Sequence, residues 1–139
     1  MATTPMQVTL NLPDDLAAQL DASTDWHGMF IAGELGEIGT QEAVEALIRT
    51  LSRDNHLIRR GAVRGLAKAK DPSAIPALIA CMEDRDGKVR KLASDALEDL
   101  GEATMRVVTQ MLSETDDTNV RRRNALIHLR TVLERGDKE

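Results

Sequence analysis

The chain has 139 residues, 18 basic and 23 acidic side chains, a formal net charge of −5 and only two aromatic rings, Trp26 and Phe30. So few rings argue against a base-stacking surface for single-stranded nucleic acid and against an aromatic-lined ligand pocket. Residues 1–57 hold nine acids and two bases, and residues 58–139 fourteen acids and sixteen bases, which is not the strongly basic balance of a nucleic-acid module.

The remaining bounds are those of one ordinary domain able to bury its own core. Cys81 is the single cysteine, so no intramolecular disulfide and no oxidising compartment are implied. Met1 to Asp15 contains no Lys or Arg and no long apolar stretch, so no secretory signal is read there. No run approaches the roughly 18 apolar residues of a membrane helix. The expected location is cytoplasmic, with no membrane partner.

In chain order, Val8, Leu10 and Leu12 alternate with Gln7, Thr9 and Asn11, a strand pattern that makes residues 1–12 an extended N-terminal arm. Pro13-Asp14-Asp15 then opens an amphipathic helix through Leu16 and Leu20. Seven further helices are predicted, so that the set spans residues 13–21, 25–38, 41–53, 57–69, 73–84, 87–100, 103–114 and 118–134. Ala43, Val44, Leu47, Ile48 and Leu51 mark one helical face, and Val89, Ala93, Ala96, Leu97 and Leu100 another. Short polar turns separate the helices. Ser73 is the expected cap of the fifth, with Pro76 at its third position, where no N–H is missed.

The pattern repeats. Ile58-Arg59-Arg60-Gly61-Ala62 and Val89-Arg90-Lys91-Leu92-Ala93 lie 31 positions apart, as do Ala43 to Ile48 and Ala74 to Ile79. An earlier copy aligns Ile31, Leu35 and Ile38 with Ala62, Leu66 and Ala69. A later one, shifted by one residue, aligns Arg122, Ala125, Leu129 and Val132 with Arg90, Ala93, Leu97 and Leu100. One helix pair alone cannot bury its apolar faces; stacked pairs can. The expected fold is therefore all-α, an α-solenoid of about four helix pairs over residues 13–139. A core of Ala, Val, Ile and Leu at close helix contacts also accounts for the missing aromatics.

The strings AVEALIRTLSRDNHLIRRGAVRGLAKAKD and AIPALIACMEDRDGKVRKLASDALEDLG resemble the short HEAT-like repeats of the phycobilisome-lyase type, over residues 24–134. That resemblance implies a scaffold, an adaptor or an accessory, chaperone-like subunit of a bilin lyase. The related deoxyhypusine hydroxylase holds iron on repeated His-Glu pairs. Here His27, His56 and His128 are followed by Gly28, Leu57 and Leu129, so that activity is not implied. VTLNLPDDLAAQLDA resembles the opening of ribbon-helix-helix antitoxins, in which Gln7, Thr9 and Asn11 would face DNA. No base precedes Arg49, however, and phosphate attraction would be reversed.

No catalytic set, metal cluster or cofactor site is read from the sequence. Glu34 and Glu37 lie three apart on one helix and read as surface carboxylates. The three histidines share no ligand spacing. Cys81 reads as a small core residue. Arg59, Arg90 and Arg122 recur at the start of the inner helices and are expected to pair with Asp54, Asp84 or Asp86, and Asp117, or with adjacent repeats. Opposite the core stripe, Arg60, Arg64, Lys91 and Asp95 are expected to line a concave face. Their counterparts are Met29, Ala32, Gly33 and Gly36 in the first copy and Arg123, Leu126, Ile127 and Arg130 in the last. The expected function is non-catalytic binding of another protein there, with nucleic acid disfavoured. Self-association through the arm or the C-terminal helix is a further expectation, because Leu126, Ile127, Leu129, Val132 and Leu133 spread over more than one face. Trp26 and Phe30 are expected to pin the arm and first helix to the solenoid.

Overall fold

The computed structural model describes residues 13–22, 26–114 and 120–137. Eight α-helices follow in order: α1 (Pro13–Ala22), α2 (Trp26–Ile38), α3 (Gln41–Thr50), α4 (His56–Ala69), α5 (Ile75–Cys81), α6 (Gly87–Leu100), α7 (Glu102–Glu114) and α8 (Val120–Asp137). Among the described residues there is no strand, and the fold is the all-α solenoid that the repeat predicts. The Val8, Leu10 and Leu12 pattern lies outside the described residues.

Consecutive helices pair: α1 with α2, α3 with α4, α5 with α6 and α7 with α8. The even helices then stack in sequence, α2 on α4, α4 on α6 and α6 on α8. Between these layers Leu35, Leu47, Ile58, Leu66, Ile75, Leu78, Leu97 and Leu129 are fully buried. The most extensive contact joins α2 to α4, and glycines make it possible. Gly61 and Gly65, four apart, share one face of α4. A Cβ on Gly61 would stand 2.6 Å from the Met29 Cα, and one on Gly65 would strike the Ala32 carbonyl. From the other side, a Cβ on Gly36 would lie 2.6 Å from the Gly65 Cα. The two backbones touch without intervening side chains.

The helix ends repeat as faithfully as the faces. Asn55 Oδ1 accepts from the Leu57 N–H at 2.9 Å, and Asp86 Oδ2 accepts from the Val89 N–H at 3.1 Å. The predicted helices ending at 53 and 84 close earlier, at Thr50 and Cys81. In both, the next three N–H groups turn back three residues instead of four, from Leu51 to Arg53 and from Met82 to Asp84. The expected Ser73 cap is replaced by Asp71. Its carboxylate accepts from the Ser73 N–H at 2.9 Å and caps a 3-10 turn at Pro72–Ala74, which leads into α5 with Pro76 as its second residue. A proline at the first helical position sets this earlier start.

Gly39, Lys70 and Gly101 end α2, α4 and α6 at the same repeat position, each with positive φ (66°, 52° and 46°). Lysine is the exception, and its Cβ crowds the following carbonyl in that conformation. Lys70→Gly is therefore expected to stabilise the fold by about 0.5–1 kcal/mol, read as a rise in the urea midpoint at unchanged m-value.

Arginines tie one repeat to the next. Arg59 is buried, and its guanidinium forks onto Asp84 at 2.9 and 3.1 Å while its Nη1 donates to the carbonyls of Arg53 and Asp54. The carboxylate partner thus comes from the following repeat, and Asp54 contributes its carbonyl. Arg90 repeats the local half of the pattern, donating to the Asp84 carbonyl. Asp117, the expected partner of Arg122, lies outside the described residues.

Candidate functional site

The parallel helices α2 and α4 leave a solvent-open groove of about 550 Å³ on their exposed side, lined by Met29, Phe30, Gly33, Glu34, Glu37, Arg64 and Lys68. The helical repeat explains this lining. Met29, Gly33 and Glu37 recur every four residues along α2, and Arg64 and Lys68 do the same along α4. Gly33 keeps the floor low, and Phe30 and Met29 make one end apolar. Phe30 is 62 % exposed. That corrects the expectation that it pins the first helix: its ring faces solvent. The Trp26 side chain lies outside what the structure describes.

The walls carry opposite charge. Glu34 and Glu37 stand on α2, Arg64 and Lys68 on α4. Lys68 Nζ reaches Glu37 Oε1 at 3.7 Å, with both side chains well exposed. Among the described residues, neither Glu34 nor Arg64 has an ion-pair partner.

The other residues expected on this face fare differently. Arg60 forks onto Asp86 at 2.8 and 3.0 Å, so it clamps α4 to the turn before α6 instead of facing a ligand freely. Lys91 and Asp95 pair with each other at 3.6 Å on α6, both well exposed. Such a pair contributes about 0–1 kcal/mol and exchanges partners readily. Arg130 meets Glu134 at 3.9 Å. Arg123 and Ile127 are half-buried. Leu126 is fully buried and belongs to the core, which corrects its place among the surface residues. Of the residues expected on this face, Arg64 and, in the first copy, Met29 and Gly33 lie on the groove.

Phe30 is the residue the sequence reading missed. The signal was available: it sits next to Met29 and three before Gly33, both assigned to the open face. Its rarity in an aliphatic chain suggested an anchor and hid that geometry.

Two titrations are set by the surroundings. The Arg60 hydrogen bonds hold the Asp86 carboxyl at about 2, below its ordinary 3.8; partial burial opposes this, and the Val89 N–H and the charges of Arg60 and His56 assist it. The unfolded chain therefore binds the proton first. The stabilisation is complete above the ordinary value near 4 and is lost as pH falls toward 2. Urea midpoints measured from pH 5 to pH 2.5 are expected to fall less steeply in Arg60→Gln than in the wild type. Cys81 is pushed the other way, up to about 11, by burial and then by Asp84, with Arg59 opposing. Its thiol is protonated at neutral pH and is a poor nucleophile. It borders a smaller depression of about 250 Å³ between α3 and α5, with Ile48, Leu51, Ala77 and Ala80.

No cluster of three or more His, Cys, Asp or Glu residues able to hold a metal occurs among the described residues, and none of their helices is long and apolar enough to cross a membrane. A search of curated protein sequences finds no match to the chain. The family profile of HEAT repeats matches residues 13–98, the stretch from α1 into α6. With that match over more than half the chain, on helix pairs that stack at a 31-residue spacing, the chain belongs to the HEAT-repeat family.

Proposed function

We propose that the chain is a non-catalytic scaffold or adaptor that binds another protein along its concave inner-helix face, with the α2–α4 groove as the principal seat. The carrying observation is Phe30, a large apolar ring left in solvent at the end of a groove, where among the described residues only Val120 is another large hydrophobic side chain so exposed. HEAT repeats commonly mediate protein interactions. The weakly paired Lys91 and Asp95 extend the same face beyond the groove. Affinity capture with the wild type, Phe30→Asp and Arg64→Glu tests this reading. Partners retained by the wild type are expected to be lost from both variants; retention of every partner overturns it.

Self-association through α8 is a second reading, supported by Val120, which is 59 % exposed, and by half-buried Ile127 and Val132. It predicts that Ile127→Asp halves the mass measured by light scattering, and an unchanged mass counts against it. Two narrower readings rest on motif resemblance alone. A bilin-lyase accessory role is tested by co-expression with a bilin and an acceptor protein, read by absorbance. Antitoxin-type DNA binding rests on residues outside those described, and a salt-dependent mobility shift tests it.

A further inference from the structure

We infer that the occupant of the α2–α4 groove is an amphipathic helix of a protein partner, with an apolar anchor residue, an acidic residue on the side facing α4 and a basic residue on the side facing α2. This rests on the groove being a protein-binding seat and goes on to specify what fills it.

Three observations carry it. First, the backbones on both sides of the groove are helical, with their hydrogen bonds used internally. An extended strand docks by pairing its main chain with an open edge, and α2 and α4 offer none; a polyproline segment needs an aromatic-lined groove, and Phe30 is the one ring among the lining residues; a helix docks through side chains alone. Second, the apolar seat is local. Phe30 and Met29 lie at one end over Gly33, and the groove runs seven residues to Glu37, about 10 Å at 1.5 Å per residue. That length matches two turns of a docked helix. Third, the charges are separated by wall. Glu37 and Lys68 pair loosely at 3.7 Å, both well exposed, while Glu34 on α2 and Arg64 on α4 line the groove without ion-pair partners among the described residues. A helix lying between them presents its flanking positions to the two walls at once. An acid then meets Arg64 and a base meets Glu34. Reversing the orientation of the charges places like against like, which is how such an interface rejects wrong partners. A uniformly acidic ligand such as nucleic acid would meet the Glu34 and Glu37 wall with the wrong sign.

The test uses the full chain as bait for a phage-displayed library built on one stable helical peptide, with the exposed positions of two turns randomised. The wild type is expected to enrich an apolar residue flanked by an acid on one side and a base on the other. Panning on Arg64→Glu is expected to convert the selected acid to a base, and panning on Glu34→Lys the selected base to an acid. Synthetic versions of the selected peptides are expected to bind Phe30→Ala at least about tenfold more weakly. Peptides that need Phe30 but whose flanking charges ignore both reversals overturn this inference and leave the groove standing as a protein-binding seat. Peptides indifferent to Phe30, or no enrichment at all, overturn both.

Discussion

Gly65→Ala is expected to cost about 3 kcal/mol or more, the upper range of overpacking, and to move the urea midpoint well below that of the wild type. The added methyl meets the Ala32 carbonyl on one side and both Leu47 methyls at 3.1 Å on the other. The side-chain neighbours could yield by a rotamer change. The carbonyl belongs to the helical backbone of α2 and can yield only if α2 moves off α4. Since α2 makes its largest contact there, separating the helices uncovers the first two helix pairs of the core. A domain of this kind holds a margin of about 5–15 kcal/mol, so one methyl removes a large share of it. Gly33→Ala supplies the internal control. It changes the same residue type in α2, but its methyl meets only the flexible Lys68 ammonium at 3.5 Å. There the better helix propensity of alanine is expected to dominate, with a gain of up to about 1 kcal/mol. Urea unfolding followed by circular dichroism compares the two. Similar losses in both would show that the close α2–α4 approach is not what these glycines serve.

The same contact explains why the fold could be read in the sequence. A 31-residue spacing of small and aliphatic positions defines which faces meet, and neighbouring repeats must reuse that grid. The helix ends were less legible. Thr50 and Cys81 end their helices three residues before the predicted ends at 53 and 84, because the chain goes on through a tightened turn in which Leu51 and Met82 still pack on the core. Asp71 displaced Ser73 as a cap because the 3-10 turn begins three residues before the helix proper, and only the backbone geometry reveals it.

The site was legible in part. Arg64 could be placed on the open face by helical angle. Whether an arginine is free on that face depends on what the next repeat brings near it, which no periodicity states. Arg60 lies one turn earlier on the same helix, and it is taken up by Asp86 because the loop before α6 ends there. Leu126 failed for the opposite reason. On an apolar helix with no clean polar face the angle alone does not say which side packs, and the packing against the rest of the solenoid buried it.

Arg59→Met is expected to destabilise the protein by about 3–5 kcal/mol, as for other broken buried ion pairs. The guanidinium makes four hydrogen bonds: two to Asp84, and one each to the carbonyls of Arg53 and Asp54. Its side chain is 5 % exposed and that of Asp84 12 %, so water cannot replace what is lost. The Asp84 charge would keep only the Asp86 N–H at 2.8 Å. Arg59→Lys is expected to recover less than half of the loss, since a single ammonium cannot hold a carboxylate fork and two carbonyls together. The double variant Arg59→Met with Asp84→Leu separates the ion pair from the packing. It is expected to be more stable than Arg59→Met alone, because no orphaned carboxylate remains. A double loss equal to the sum of the two single losses would rule out coupling between these residues. Arg59 also joins the second helix pair to the third, so its removal is expected to weaken the cooperativity of the stack. Hydrogen exchange is the measurement that resolves this. In the wild type, α4 and α6 should open together. In Arg59→Met, α1 to α4 should exchange faster than α6, and equal acceleration in both would show that the clamp stabilises the fold without coupling its repeats.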